Sequence, residues 1–203
     1  MLHANIFVDY NKYKMCTGME KLNKYMKKFF KKYISFIFYV LFIIIVSYLI
    51  ITFIAQRTCV DGHSMENTLY HGDNVILDKI SYRFNNPERF DIIVFPHEVG
   101  LEKKYYIKRI IGLPGETVYI NETGNIYIND VLLSEKYGKE DIQDAGIASS
   151  PITLDADEYF VLGDNRNHSS DSRDPSVGLI KRNEIIGKAF IRIYPFSKFG
   201  IIS

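Results

Sequence analysis

Residues 33–55 read YISFIFYVLFIIIVSYLIITFIA and contain no charged side chain. A helix of this length exceeds the roughly 20 residues that cross about 30 Å of hydrocarbon. The alternative is a cleaved secretory signal, whose apolar region runs for only about 7–15 residues and ends in small residues. Here the run is longer, and Gln56, Arg57 and Thr58 follow it without an Ala-x-Ala site. The sequence therefore predicts one uncleaved transmembrane anchor at 33–55.

Positive charge is concentrated on the amino-terminal side of this run. Eight lysines and a single acid, Glu20, lie between residues 12 and 32, whereas only Arg57 closely follows the run. Because lysine-rich flanks stay in the cytoplasm, we expect a cytoplasmic basic tail at 1–32 and an extracytoplasmic domain at 56–203. The tail lysines either lie on anionic lipid or only fix the topology, and both interpretations stay open.

The composition excludes several classes of site and partner. The chain has 203 residues, enough for one anchor and one domain with a core, and its formal net charge of +1 gives no indication of nucleic acid. Cys16 and Cys59 flank the span and would lie on opposite sides of the bilayer, so the fold needs no disulfide. The isolated histidines His63 and His168 do not make a metal site. We expect neither metal nor cofactor.

Short apolar segments alternate with turn residues after the span. Strands are predicted at 74–80, 90–95, 105–112, 117–120, 125–128, 159–162 and 185–194. Pro96 is expected to halt the second strand, and the fourth and fifth flank Glu122-Thr123-Gly124 as a hairpin. Residues 134–151 are polar and predict an exposed loop. Because the connections are too short for crossover helices, we expect a mainly β, antiparallel domain.

The apolar carboxyl end has two possible roles. Ile193, Tyr194 and Phe196 lie there, with Phe199, Ile201 and Ile202 beyond them. These side chains either pack in the core or dip into the membrane interface, and the pattern favours core packing.

Ser64 lies in the segment DGHSMENTL (61–69), soon after the span. Gly62 removes a side chain two residues earlier, which lets a substrate backbone approach and leaves nearby backbone N–H groups free to face it. A serine in a glycine-containing loop is most often an ordinary turn residue. This segment alone therefore does not establish a nucleophile.

Lys108 lies in a predicted strand among bulky or apolar neighbours, Tyr106, Ile107, Ile110 and Ile111. Burial in such surroundings disfavours the ammonium and lowers the pKa of a lysine by up to several units. A neutral lysine is a competent base for a serine hydroxyl. The competing interpretation is a surface lysine whose amine reaches water.

Three segments follow the span in a fixed order: SMENTL (64–69), KRIIGLPGE (108–116) and GDNRNHSSDSR (163–173). The third alone is a turn with an Asp/Arg pair, but the three together closely resemble bacterial type I signal peptidases. FDIIVF (90–95), GLI (178–180) and IGKA (186–189) fit the same family. The resemblance covers nearly everything from residue 61 to residue 194.

The resemblance implies a signal peptidase/LexA-like β fold in which Ser64 is the nucleophile and Lys108 the general base. It also implies that the Ser64 backbone N–H helps to form the oxyanion hole. Two positions depart from the family pattern. Gly62 stands where some members have a hydroxyl residue that adds a second donor, and Asn67 replaces the usual proline, which questions the rigidity of this turn.

Four further residues acquire supporting roles from the resemblance. Ser169 would hydrogen-bond and orient the lysine, Asp171 and Arg173 would form an ion pair that shapes the site, and Tyr106 would line the site. The implied activity is cleavage of signal peptides from preproteins after small residues, in the Ala-x-Ala manner. It implies a single-pass protein of the bacterial cell membrane, of Gram-positive type, near lipid and the secretion translocon.

Two other functions remain open. Self-cleaving repressors of the LexA type use the same Ser/Lys pairing, but they carry a DNA-binding domain and an Ala-Gly site ahead of the serine. Here a membrane span precedes Ser64, and the only Ala-Gly pair, Ala145-Gly146, lies after both candidates. The second alternative is a catalytically silent anchored β-domain that binds peptides or translocon components.

Overall fold

The computed structural model describes residues 2–53, 55–100 and 102–202, with the backbone alone for residues 2–18, Phe53 and Val99. The chain divides into two units, residues 1–50 and residues 51–203. The first is helical and the second is mainly β.

The described residues of the first unit lie in a single helix, α1, which runs over Leu2–Phe53. A stretch long and apolar enough to cross a membrane extends over Met19–Thr52 within it, and its apolar side chains are exposed. The predicted anchor at 33–55 is therefore helical to Phe53, but its end was placed too late because Ala55 begins a strand. The basic tail belongs to the same helix, which contains no proline and is rich in lysine, a good helix former. The sidedness of tail and domain stays a prediction.

The second unit confirms the mainly β, antiparallel prediction. Its strands are β1 Ala55–Cys59, β2 Asn74–Asp78, β3 Ile92–Val99, β4 Glu102–Gly112, β5 Thr117–Ile120, β6 Ile126–Ile128, β7 Val131–Leu132, β8 Ile152–Thr153, β9 Glu158–Leu162, β10 Ile180–Lys181, β11 Gly187–Tyr194 and β12 Gly200–Ile201. A four-residue helix, α2 (Ser81–Phe84), follows β2, and short 3₁₀ turns cover Gly146–Ser149, Arg182–Glu184 and Phe196–Lys198.

These strands form two antiparallel sheets. The larger has the order β1-β2-β11-β3-β4-β9-β10, with β12 paired to β11, and the smaller has the order β7-β6-β5-β8. The predicted hairpin at 117–128 is confirmed as β5 and β6, which pair from Val118↔Ile128 to Ile120↔Ile126. Alternating burial along β2 and β5 shows why these segments form half-buried strands.

Two local features of the larger sheet differ from the sequence prediction. β1 was not predicted, because its residues show no apolar alternation; its partner β2 holds it through five residue pairs. Pro96 does not halt β3, which continues to Val99 opposite β4. β11 pairs with β3 only at Ile93 and Val94, so Pro96 lies where β3 has a neighbour on one side only. A proline without an N–H is tolerated at such an edge.

The polar segment at 134–151 was predicted to be an exposed loop, and this is only partly correct. Ile142 and Ala148 are buried in the core of the smaller sheet, with Val118 and Phe160 among their neighbours. Nothing in the sequence pattern indicated these two buried residues, because single apolar residues within a polar loop show no periodic pattern. The segment is therefore held against the domain by its own side chains.

Core packing of the apolar carboxyl end was favoured, and this is wrong for most of its large side chains. Phe196 is 81% exposed, and Tyr194, Phe199 and Ile201 are exposed as well, whereas Ile202 is buried. Ile201 lies on β12, whose only partner strand among the described residues is β11. Alternate side chains on such an edge face away from the core.

Candidate active site

Ser64 and Lys108 meet although 44 positions separate them in the chain. Lys108 Nζ lies 2.8 Å from Ser64 Oγ and 3.1 Å from the carbonyl oxygen of Ile107. The lysine lies on β4, whereas the serine lies in the turn between β1 and β2. A base within this reach of a hydroxyl can accept its proton.

The Lys108 side chain is only 4% exposed. Burial lowers the pKa of Lys108 from 10.5 to about 8, and the charges of Asp171 and Asp164 oppose this only in part. Both carboxylates have arginine partners, since Asp171 pairs with Arg173 and Asp164 with Arg109. The neutral fraction of the amine at pH 7 therefore rises from about one in several thousand to about one in ten.

The turn that carries Ser64 is held by buried side chains on one side and by a loop on the other. Met65 and Leu69 are almost fully buried, and the Leu69 N–H donates to the Met65 carbonyl at 2.8 Å. The Asn165 N–H donates to the Ser64 carbonyl at 3.0 Å. The backbone of the serine is thereby tied to the segment that follows β9.

Gly62 has φ of +104°, which favours glycine, and a Cβ at this position would meet no atom within 4 Å. Its open side is consistent with an approaching substrate. The Gly62 N–H donates to His71 Nδ1 at 3.3 Å. The role of the Ser64 N–H in an oxyanion hole stays a prediction.

Ser169 reaches the site but does not orient the lysine in this structure. Its Oγ is buried and has no hydrogen-bond partner among the described residues, so the expected bond to Lys108 is not formed. The lysine amine is directed to Ser64 Oγ and Ile107 O instead. Ser169 packs against Gly163, where an added Cβ would collide with both Ser169 Oγ and Ser64 O. Glycine is therefore required at 163 for this close approach.

Asp171 and Arg173 form the expected ion pair, which is bidentate and buried. Arg173 Nε lies 2.8 Å from Asp171 Oδ1, and Nη2 lies 2.9 Å from Oδ2. Asp171 Oδ2 also accepts from the Gly163 N–H at 3.0 Å. The pair thus fixes the backbone at Gly163, which both Ser64 and Ser169 approach closely. Among the hydrogen bonds of the described residues, none joins Asp171 or Arg173 to either serine hydroxyl.

Comparison with known families gives a match to the model described as signal peptidase, peptidase S26, over residues 31–194. The chain belongs to the signal peptidase family, peptidase S26. This match covers both the span and the site, and it includes all three segments on which the resemblance was based.

Individual signal peptidases are similar over most of the chain. A probable signal peptidase I-2 of Synechocystis sp. is 39% identical over 75% of this chain and 69% of its own length. Signal peptidase I of Leptolyngbya laminosa is 41% identical over 73% of each chain, and signal peptidase I P of Bacillus subtilis subsp. natto is 34% identical over 78% and 88%. A solved signal peptidase I from Enterococcus faecalis V583 is 36% identical over 51% of this chain and 97% of its own, with a TM-score of 0.40.

A cleft of about 390 Å³ lies beside the site of this signal peptidase family member. The cleft is lined by residues 58–61, which form the end of β1 and the two positions after it. Residues 104–107 of β4 and Val94 line the rest. Tyr106 lines this cleft, as expected, and its ring centre lies 4.9 Å from Lys108 Nζ. The centre of the His97 ring lies 4.7 Å from that of the Tyr106 ring.

Sequence reasoning missed a second buried ion pair next to the lysine. Arg109 and Asp164 are fully buried and bidentate, with Nε–Oδ1 at 2.9 Å and Nη2–Oδ2 at 2.8 Å. Thr68 Oγ1 donates to Asp164 Oδ2 and accepts from Arg109 Nη2, so the pair also holds the far end of the serine turn. Thr68, Arg109 and Asp164 all lie inside the three quoted segments. The available signal was that an arginine follows Lys108 directly and an aspartate follows Gly163 directly.

Proposed function

We propose that the chain is a membrane-anchored serine endopeptidase that removes signal peptides from secreted preproteins, with Ser64 as nucleophile and neutral Lys108 as general base. The observation that carries this proposal is the 2.8 Å contact between Ser64 Oγ and a lysine amine with a lowered pKa. Membership of the signal peptidase family supplies the class of substrate.

The reaction proceeds in two steps. Lys108 takes the proton of Ser64 as the hydroxyl oxygen attacks the carbonyl carbon, and the resulting ammonium gives the proton to the leaving amine as the peptide bond breaks. The acyl-enzyme ester is then attacked by water, whose proton passes to Lys108 and on to Ser64 Oγ as the ester bond breaks. Lys108 must be neutral at the start of each step, which burial favours.

The cleft accounts for substrate binding in an extended form. β1 is the end strand of its sheet, and β4 pairs with β9 from Arg109 onward. Among the described strands, residues 104–107 therefore pair with β3 alone. A substrate segment between these two edges would form main-chain hydrogen bonds with them, while its alternate side chains enter the cleft. Small residues one and three places before the cut would then face the same wall.

The helix supports a membrane location. The lysine distribution supports an amino terminus in the cytoplasm and a catalytic domain outside. Secreted preproteins leave the cytoplasm through the translocon, so we expect the enzyme to act near it. Confinement of enzyme and substrate to one membrane raises the frequency of their encounter.

The exposed aromatic group of Tyr194, Phe196 and Phe199 supports a second lipid contact, with Lys198 beside it. Aromatic rings and lysine are typical of membrane interfaces. Replacing Phe196 and Phe199 by serine should lower cleavage of a liposome-embedded preprotein and leave cleavage of a detergent-solubilised one unchanged. Equal loss in both media would exclude a lipid contact.

Cleavage of a preprotein with an Ala-x-Ala site tests the mechanism directly. Full-length wild type, Ser64→Ala and Lys108→Ala are compared in detergent, with Ser134→Ala and Lys136→Ala as controls because both side chains are exposed. We expect each site variant to lose at least about 10³-fold in kcat/KM and each control to keep wild-type activity. Full activity of either site variant would remove the proposed dyad. Stoichiometric cut at Ala145 without preprotein turnover would favour self-cleavage instead.

A further inference from the structure

Asn67 has a backbone conformation that few residues adopt. Its φ is +102°, in the region that favours glycine, and it lies three residues after Ser64. A non-glycine residue persists there only when its surroundings hold it. In this chain its side chain supplies that restraint, because Asn67 Nδ2 donates to the carbonyl oxygen of Tyr137 at 3.0 Å.

Glu66 makes a second contact to the same segment. Its Oε2 lies 2.8 Å from Lys139 Nζ, and its Oε1 lies 2.6 Å from Nδ1 of His63, the residue before the nucleophile. The Glu66 carboxylate therefore connects His63, in the turn that carries Ser64, to the segment at 137–139. The pair with Lys139 lowers the pKa of Glu66 and raises that of Lys139.

The segment that receives these contacts is itself firmly seated. The Tyr137 ring lies 3.7 Å from the Arg109 guanidinium carbon and 5.0 Å from the Phe90 ring, measured to ring centres. The Lys139 N–H donates to the Asp164 carbonyl at 2.8 Å. Because Arg109 and Asp164 are the buried pair beside the site, the segment is fixed to the same framework as Lys108.

We propose that Asn67 and Glu66 are positioning residues that fix the nucleophile turn to the segment 137–139 and so hold Ser64 Oγ within reach of Lys108. We call these two contacts the turn clamp. The clamp acts on Ser64 and Lys108 through the backbone and touches no substrate. The inference rests on the proposed function of the dyad.

Three substitutions at Asn67 test the main contact in the full-length protein. Asn67→Gly adopts the same φ without strain but has no side-chain amide to donate to the Tyr137 carbonyl. We therefore expect kcat to fall roughly tenfold with little change in KM. Asn67→Asp sets an acceptor against the Tyr137 carbonyl and should lose at least as much. Asn67→Pro fixes φ near −65° and should lose more than about 100-fold.

The second contact is tested at Lys139, with the neighbouring exposed Lys136 as the matched control. Lys139→Met should lower kcat about threefold, as expected for a partly exposed ion pair, whereas Lys139→Arg should restore it and Lys136→Met should leave it unchanged. In 1 M NaCl the difference between wild type and Lys139→Met should shrink, since salt screens the pair in the wild type.

The split between kcat and KM distinguishes positioning from general support of the fold. Wild-type kcat in Asn67→Gly, or a change confined to KM, would overturn the proposal, and so would Asn67→Pro with full activity. The test requires that the wild type is active and that the Ser64→Ala variant is inactive. Activity in Ser64→Ala would instead reject the proposed function, so the two failures are distinguishable.

Discussion

Lys108 and Arg109 are consecutive residues of β4, both cationic and both buried, yet their surroundings on the two faces of the strand are opposite. Arg109 meets a bidentate carboxylate, Asp164, and further acceptors on Phe90 and Thr68. Lys108 meets a neutral hydroxyl on Ser64 and a backbone carbonyl.

The difference shows why Lys108, the proposed base, can lose its proton whereas Arg109 stays charged. A buried charge with a hydrogen-bonded counter-ion stays charged, whereas one without a direct counter-ion tends to lose its proton. The guanidinium cannot serve as a base in any case, because it does not deprotonate in proteins. Side chains of consecutive strand residues point to opposite faces, so one strand provides both functions.

The largest expected effect is on the Arg109 face. Arg109→Met leaves Asp164 buried without its partner and should lower the free energy of unfolding by about 3–5 kcal/mol. Pulse proteolysis in urea, on the full chain in detergent, measures this. The double variant Arg109→Met with Asp164→Leu should recover part of the loss, because the unpaired charge is gone. An Arg109→Met variant as stable as wild type would contradict the claim that Arg109 stabilises the buried Asp164.

The Lys108 face should respond in the opposite direction. The pKa of Lys108 is lower in the folded protein than in the unfolded chain, so its charged form destabilises the fold at pH 7 by up to about 3 kcal/mol. Lys108→Met should therefore be inactive but more stable than wild type at pH 7. Between pH 8 and about 10.5 the unfolded chain binds the extra proton at this lysine, so the stability of the wild type should rise with pH relative to that of the variant.

The same urea experiment, repeated from pH 7 to pH 10, gives the difference directly. Lys103→Met serves as the control, because this lysine lies exposed on β4. A Lys108→Met variant less stable than wild type at pH 7 would show that the lysine contributes more through contacts than it costs by burial.

The smallest effect concerns activity near neutral pH. With a pKa of about 8 for Lys108, kcat/KM should rise with pH and level off above about pH 8, lying about tenfold below its maximum at pH 7. Preprotein cleavage measured from pH 5 to pH 9 checks this. Lys108→Arg, which retains its charge, should be inactive throughout, and a flat wild-type profile would contradict the neutral base.

Several parts of the site were predictable because each of their residues lies in a short segment that resembles the family. The resemblance of three segments gave Ser64, Lys108 and the Asp171–Arg173 pair, and the structure brings each pair together. The bond from Ser169 to Lys108 was expected and is absent among the described contacts, because the lysine amine is directed elsewhere. A resemblance fixes which residues are present but not which of two neighbouring hydroxyls an amine bonds.

The turn clamp illustrates what the sequence pattern concealed. Asn67 looked like a loss of rigidity, and the segment at 134–151 looked like an exposed loop. The structure places Tyr137 and Lys139 of that segment against the turn, 70 and 73 positions from their partners. Such contacts have no local period or propensity to reveal them.

The sequence by itself determined the long apolar helix, the antiparallel β domain and the candidate pair Ser64 and Lys108, because length, alternation and short segments are local properties. Only the tertiary structure decided that Lys108 is buried, that Arg109 is paired with Asp164 and that the carboxyl-terminal aromatic side chains stay exposed. Burial and pairing depend on which distant strands come together, and a pKa follows from that environment rather than from the residue type.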